Sequence, residues 1–390
     1  VKKKLKILIV AGEASADLHA AHLLKELQKK FEIEARGVGG DQLSKAGVKI
    51  EKHARDMAVV GLTEAIKKVP QTITLLRQMG QSVDRDRPDF ALLLDLPDVN
   101  LRLASRLKAK GVPVIYYVSP QVWAWRSKRV KTMARDIDLL LSILPFEKKW
   151  YETNAPKNFH VEYVGHPVMT EIPNEPYAPE EKHLVIMPGS RENEWKTLAK
   201  PMIEAAALLS RADSSLRFTL PLAEPLRSNE FVLNCLSPVG ECGDSIRSLG
   251  DHLTISHDPA HKSLRLAKAA WIASGTATLE AGVVGAPMVV AYKVSATSAF
   301  IFKNLVRYSG PIAMVNLIHC GLGSAERLVP ELLQDSVESF ALASAMREIL
   351  QEPKWSELRS RLSQTRSLLK GQGDPIQNAC RQIELFAEKL

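Results

Sequence analysis

A chain of 390 residues with 45% hydrophobic and 25% charged side chains has the make-up of a soluble globular protein, and its length suggests two to three domains. No stretch approaches the ~18 consecutive apolar residues of a membrane span, and the four cysteines (Cys235, Cys242, Cys320, Cys380) show no CxxC pair and no metal-ligand spacing, so reduced thiols are expected. The net charge of +8 is uneven: between Leu101 and Arg135 lie nine basic residues and no acid, a distribution suited to nucleic acid, anionic lipid or a phosphorylated substrate.

The first apolar run, KILIVA (6–11), meets Glu13 and Asp17 where an export signal would continue its hydrophobic region of about 7–15 residues. A cytosolic start is expected, with a buried strand at Ile7–Val10, a glycine turn and a helix from about Ala16 to Lys30. EIEARGVGG (32–40), PDFALLLD (88–95), VPVIYYVSP (112–120), DLLLSILP (138–145) and FHVEYVGHP (159–167) read as further strands, with helices after the second, at Val99–Lys110, and after the third, around Arg126–Arg135. Buried strands separated by helices mean βαβ units and a parallel sheet.

Four prolines, Pro167, Pro173, Pro176 and Pro179, then mark a linker. The strand–turn–helix theme restarts at HLVIMPGSRENEW (183–195), and strands are expected at RFTLPLA, HLTIS, AAWIAS and APMVVAYKV. The expected domains are 1–168, a linker at 169–180, a second domain at 181–350 and a helical tail at 351–390. The fold class is α/β, with two Rossmann-like parallel sheets facing across a cleft. In such sheets ligands gather at the C-terminal strand ends.

Those ends carry the candidate chemistry. Pro188-Gly189-Ser190-Arg191 turns from a strand into a helix, whose first N–H groups attract anions while Arg191 can clamp a phosphate. Ser274-Gly275-Thr276 repeats the arrangement before a helix carrying Glu280, one turn on, where a carboxylate suits ribose hydroxyls. Neither matches a Walker A loop or a GxGxxG fingerprint. Asp95 closes an apolar strand that would raise its pKa toward the range of a general base, and Asp98 reads as a helix N-cap. Between Tyr116 and Arg129, aromatic and basic residues alternate, and Trp123 and Trp125, two apart, cannot share a helix face.

In this order the motifs GEASADLH, VGG (38–40), DLPDVN, YYVSPQVWAWR, RVKTMAR, LPFE (144–147), VGHP, PGSR, SGTATLE, PMVVAYK and MVNLI (314–318) resemble the lipid-A-disaccharide synthase family over roughly residues 7–335. Ala16 stands where that family commonly has glycine, and Val99 where an aromatic often follows. The resemblance implies a GT-B glycosyltransferase of the Gram-negative envelope, working at the inner-membrane surface from the cytoplasm. It would join UDP-2,3-diacylglucosamine to 2,3-diacylglucosamine 1-phosphate and release UDP. In-line inversion needs a base for the acceptor 6-hydroxyl, for which we take Asp95 first and Glu13 second. The donor is assigned to Gly189, Ser190, Arg191, Ser274, Gly275, Thr276, Glu280 and Asn316, and the acceptor to Ser15, Asp17, Ser119, Gln121 and Trp123. Capping is the other reading for Ser15 and Asp17.

Candidate membrane contacts are the basic 101–135 window and Met57–Gly61 flanked by Lys67 and Lys68. The tail is read as folding back on the first domain or exchanging within a homodimer. Another UDP-sugar enzyme, such as a lipid-intermediate transferase or an epimerase, is the alternative; a basic nucleic-acid binder is the reading from another class, against which stands the lack of any nucleic-acid-binding motif. Two DxD triplets, Asp84-Arg85-Asp86 and Asp136-Ile137-Asp138, read as a charged loop and a strand lead-in, and no cofactor or metal is expected. Turnover is therefore expected to survive EDTA; activity abolished by the chelator and restored by magnesium would reverse this.

Overall fold

The computed structural model describes residues 2–56, 69–294 and 310–390. The apolar segment Met57–Gly61 and Lys67–Lys68 lie outside the described residues. The chain divides into two compact units, Val1–Thr170 with Leu369–Leu390, and Glu171–Leu368.

The first unit is built on seven strands: β1 (Lys4–Ala11), β2 (Glu32–Gly39), β3 (Lys49–His53), β4 (Phe90–Leu94), β5 (Val114–Tyr117), β6 (Leu139–Ser142) and β7 (Val161–Tyr163). Their order is β3-β2-β1-β4-β5-β6-β7, all parallel. Every residue of β4, β5 and β6 is buried, as expected of strands covered on both faces. Strand β1 starts three residues before the expected Ile7 because pairing with β2 already starts at Lys4 opposite Glu32, and hydrogen bonding does not require burial. Helix Ala14–Leu27 follows β1, and Pro97–Ala109 follows β4. The stretch expected as one basic helix is instead a short helix (Val122–Trp125), a 3-10 turn (Ser127–Arg129) and a second helix (Val130–Asp136).

The second unit has β8 (Glu180–Met187), β9 (Arg217–Pro221), β10 (Leu253–Ser256), β11 (Ala267–Ala273), β12 (Met288–Tyr292) and β13 (Glu331–Leu333), in the parallel order β10-β9-β8-β11-β12-β13. Both sheets thus follow the doubly wound order in which the first strand of the unit sits centrally and the chain reverses direction beside it. Helix Glu192–Ala212 covers β8 and β11 with Trp195, Leu198, Met202 and Ile203, all buried.

The proline-rich linker is fastened rather than loose. Arg265 binds Glu175 and the Pro173 carbonyl, Arg366 Nη2 donates to the Ile172 carbonyl at 3.0 Å, and the Tyr177 hydroxyl donates to Ala267 O at 2.6 Å. All these contacts lie within the second unit. The tail, expected as one piece, divides. Trp355, in helix Lys354–Leu362, donates its indole N–H to Lys268 O at 2.8 Å in the second unit. Helix Pro375–Ala387 belongs to the first unit, where Phe386 meets Phe90 edge-on at 6.3 Å and Lys30 pairs with Glu384 at 2.7 Å. Its buried Ile376, Ala379, Cys380, Ile383 and Ala387 recur at helical spacing and form one apolar stripe.

The basic window is less bare than its sequence implies. Lys108 pairs with Asp138, Lys110 with Asp84 and Arg135 with Asp136, so three acids of the DxD triplets are engaged as ion-pair partners. The fourth, Asp86, holds Lys6 at 2.6 Å. Among the described residues no helix is long and apolar enough to cross a membrane.

Ile383 is fully buried in the returning helix. Replacing it with alanine is expected to cost ~2–5 kcal/mol, read as a lowered urea midpoint; an unchanged midpoint would show that the tail adds nothing to the first unit.

Candidate active site

Where a doubly wound sheet reverses, two neighbouring strands deliver their following loops to opposite sides and a crevice opens between them. In the second unit those strands are β8 and β11, paired up to Met187 opposite Ile272. A cavity of about 460 Å³ lies there, walled by Gly189, Ser190 and Arg191 after β8 and by Ser274, Gly275, Thr276 and Glu280 after β11. Seven of the eight expected donor residues thus meet in one cavity. Its far wall was not foreseen: Glu224 and Arg227 follow β9, and His257 and Asp258 follow β10. Both strands were legible in the sequence, and the rule that strand ends face the ligand would have led to these residues.

The two helix starts differ. At Glu192–Ala212, the Ser190 and Arg191 amides donate to Glu194 Oε2 at 2.8 and 3.2 Å, and Arg191 Nη1 lies 3.4 Å from Oε1. Two of the amides expected to be available at this start, those of Ser190 and Arg191, are therefore taken by its own carboxylate. Gly189, at φ +127°, permits this approach; a Cβ there would fall 2.2 Å from Glu194 Oε2. At Ala277–Val284 no side chain caps the start, and a Cβ on Gly275 would meet nothing within 4 Å. This second start lines the cavity without a side-chain cap, and uncapped amides at a helix start suit an anion. Burial holds the Glu280 carboxyl above its usual range.

Asn316 is not in the cavity wall. It is fully buried, donating to Val329 O at 2.9 Å and Glu331 Oε1 at 2.8 Å while accepting from Val329 N at 2.9 Å. Glu331 also takes the Ile312 and Ala313 amides, so the pair braces the start of helix Met314–Cys320 against β13.

In the first unit the reversal lies between β1 and β4, paired up to Ala11 opposite Leu94. Gly12-Glu13 and Asp95 therefore emerge side by side, Gly12 buried and the two acids half-buried. Asp95 and Leu96 adopt left-handed φ of 54° and 44°, and Val118, just past β5, has φ 68°. Such angles in residues other than glycine persist only where surroundings enforce them. The Asn100 amide supplies the restraint, donating to Leu94 O at 2.9 Å and Asp95 O at 2.8 Å, joined by the Tyr116 hydroxyl on Asp95 O. Gly12 leaves room for Leu96: a Cβ there would lie 1.8 Å from Leu96 Cδ1.

The remaining expected residues fall into place as follows. Glu13 occupies the N-cap position of Ala14–Leu27, and Ser15 is exposed in its first turn rather than capping it. Asp17 is buried and caps a different helix, accepting from the Gly40, Gln42 and Leu43 amides at 2.6, 2.9 and 3.2 Å. Asp98 is not the N-cap expected of it; Leu96 holds that position, and Asp98 pairs with Arg126 and Arg129. Ser119 bonds the Tyr151 hydroxyl at 2.8 Å, Gln121 is exposed, and the Trp123 indole donates to Glu147 at 3.0 Å. Glu147, missed as a functional candidate, also accepts the Ile143 and Leu144 amides, and burial pushes its carboxyl up to about 7. Among the described residues no three His, Cys, Asp or Glu side chains are grouped to hold a metal.

Two parallel doubly wound sheets, the second bearing a cavity of about 460 Å³ at its reversal, define the GT-B class. Solved structures agree on the fold: a putative UDP-N-acetylglucosamine 2-epimerase from Listeria monocytogenes superposes with TM-score 0.64 at 14% identity, covering 99% of this chain and 98% of that one. The calicheamicin glycosyltransferase CalG4 gives 0.62 at 16%, covering 99% of each. A family model described as lipid-A-disaccharide synthetase matches residues 7–385, and the chain belongs to that family of glycosyltransferases. It is 38% identical to the lipid-A-disaccharide synthase of Anaeromyxobacter dehalogenans strain 2CP-C over 96% of both chains. It is 36% identical to that of Myxococcus xanthus strain DK1622 over 88% of both.

An ionised Glu280 accepts hydroxyl protons better than a protonated one. Because its pKa is raised, UDP affinity is expected to climb as pH rises through that raised value, and Glu280→Gln to remove the climb. Calorimetric titration of UDP across pH checks this; an equal slope in the variant would separate Glu280 from the nucleotide.

Proposed function

We propose that the enzyme transfers 2,3-diacylglucosamine from its UDP carrier to the 6-hydroxyl of 2,3-diacylglucosamine 1-phosphate, giving the β-1′,6-linked disaccharide 1-phosphate and UDP. The observation carrying this reading is the second unit's cavity, where seven expected donor residues converge at one strand reversal. The diphosphate rests on the amides at Gly275–Ala277, with Arg191 across the cavity wall and Glu280 on the ribose hydroxyls. Asn316 acts from behind, by fixing the segment it braces.

The first unit supplies the acceptor chemistry. The acceptor hydroxyl loses its proton to Asp95 as its oxygen forms the new bond to the donor's anomeric carbon, and the bond to UDP breaks with its electron pair passing to the diphosphate. A helix start and a guanidinium stabilise that leaving charge. Glu13, emerging beside Asp95, orients the same hydroxyl. Asp95 suits the role because its backbone is held rigidly by Asn100 and Tyr116, so little reorganisation accompanies proton transfer. Both substrates carry acyl chains, and the enzyme draws them from the cytoplasmic face of the inner membrane as a peripheral protein, aided by its net charge of +8.

Asp95→Asn keeps the size and the Asn100 contacts, which fall on main-chain oxygen. It is expected to lower turnover ~10²–10⁴-fold while leaving UDP affinity and melting temperature unchanged. Near-normal turnover would remove Asp95 from the role of base.

A further inference from the structure

The acceptor differs from its unphosphorylated counterpart by one phosphate monoester, and nothing assigned so far recognises it. Beside Asp95 the structure gathers charge in an unusual way. Arg126 and Arg129 flank a 3-10 turn, whose i and i+3 side chains eclipse on one side. Both guanidiniums reach the same atom, Asp98 Oδ1, at 2.7 and 2.6 Å. Two guanidiniums thus converge on one carboxylate. The neighbouring pairs in the basic window, Lys108 with Asp138, Lys110 with Asp84 and Arg135 with Asp136, bring one cation to one acid.

Stability does not account for the arrangement. The Asp98 side chain is 61% exposed and those of the arginines 35% and 34%, and exposed pairs contribute only ~0–1 kcal/mol. Against that small gain stands the repulsion of two guanidiniums drawn together. The cluster also stands at the start of helix Pro97–Ala109, thirteen residues long, whose dipole adds positive potential at that end. Asp98 follows Asp95 by three residues, at most ~11 Å of backbone, a span that one hexose and its phosphate can bridge. Asn100 fixes the intervening turn, so the distance from the base to the cluster is set by the fold.

We infer that Arg126 and Arg129, oriented by Asp98, form the subsite for the phosphate monoester of the acceptor glycolipid. The inference rests on the acceptor reading given above. A guanidinium fork matches phosphate oxygens in pairs, and Asp98 keeps both forks turned to one side until the phosphate arrives. The subsite sets substrate choice and register: with the phosphate docked, the opposite end of the sugar, bearing the 6-hydroxyl, is directed to Asp95.

The test compares kcat/KM for 2,3-diacylglucosamine 1-phosphate and for 2,3-diacylglucosamine in mixed micelles, in the full-length enzyme and in Arg126→Ala/Arg129→Ala. The unaltered enzyme is expected to favour the phosphorylated acceptor ~10–100-fold. The double variant should bring that ratio near one by raising KM for the phosphorylated acceptor alone, with donor KM and melting temperature unchanged. Arg129→Lys, which keeps charge without the fork, should retain part of the preference. An undiminished ratio, or equal losses on both acceptors, overturns the assignment. So does a double variant that loses binding to phosphatidylglycerol vesicles while its acceptor preference stands, since the cluster then serves bilayer headgroups. If the unaltered enzyme glycosylates neither acceptor, the acceptor reading itself fails and takes the subsite with it.

Discussion

The Asn100 side chain holds the turn that presents Asp95, the proposed base. At the end of β4 the backbone passes through two consecutive left-handed residues, each costing on the order of 1–3 kcal/mol. A buried amide bonded to both Leu94 O and Asp95 O keeps that turn from relaxing. Around it the fit is close: Leu96 fills the space that Gly12 leaves, and Tyr116 reaches across from β5. The strain therefore sits where rigidity is useful, at the carboxylate assigned as base and one turn from the arginine pair.

The two units share a topology but handle charge differently. In the second unit, one helix start is closed by its own Glu194 and the other is left open at Gly275. A carboxylate that caps one start also repels an anion there, which under the proposed function favours the other start for the diphosphate. In the first unit positive potential comes from side chains instead. Glu147 and Asp17, both buried, bind backbone amides and shape the loops around the strand ends.

Much of this was readable from residue order. Strands buried on both faces announce themselves as apolar runs, and β1, β4, β5, β6, β8, β11 and β12 all did so. Strands β3 and β13 did not. KIEKH at the sheet edge is charged and partly exposed, and ELL is too short to show a period. The residues that line the second unit's cavity were legible because glycine and hydroxyl residues at a strand-to-helix turn have a local meaning. Asn316 looked like a ligand contact from its motif, yet its partners, Val329 and Glu331, lie thirteen and fifteen residues on, a pairing that no local pattern reveals. Asp98 was taken for a cap because its partners, twenty-eight and thirty-one residues on, come together only through the sheet.

The chain leaves the first unit at Thr170 and rejoins it at Leu369, where the Leu369 carbonyl takes hydrogen bonds from the His166 amide at 3.2 Å and the Tyr163 hydroxyl at 3.0 Å. Exit and re-entry are thus near neighbours, and everything from Glu171 to Leu368 is a single uninterrupted insert. A short graft from Thr170 to Leu369 would close the outer segment on itself without pulling its ends apart. The gene can accordingly be treated as two cassettes, one nested inside the other, to be recombined between relatives at two fixed seams.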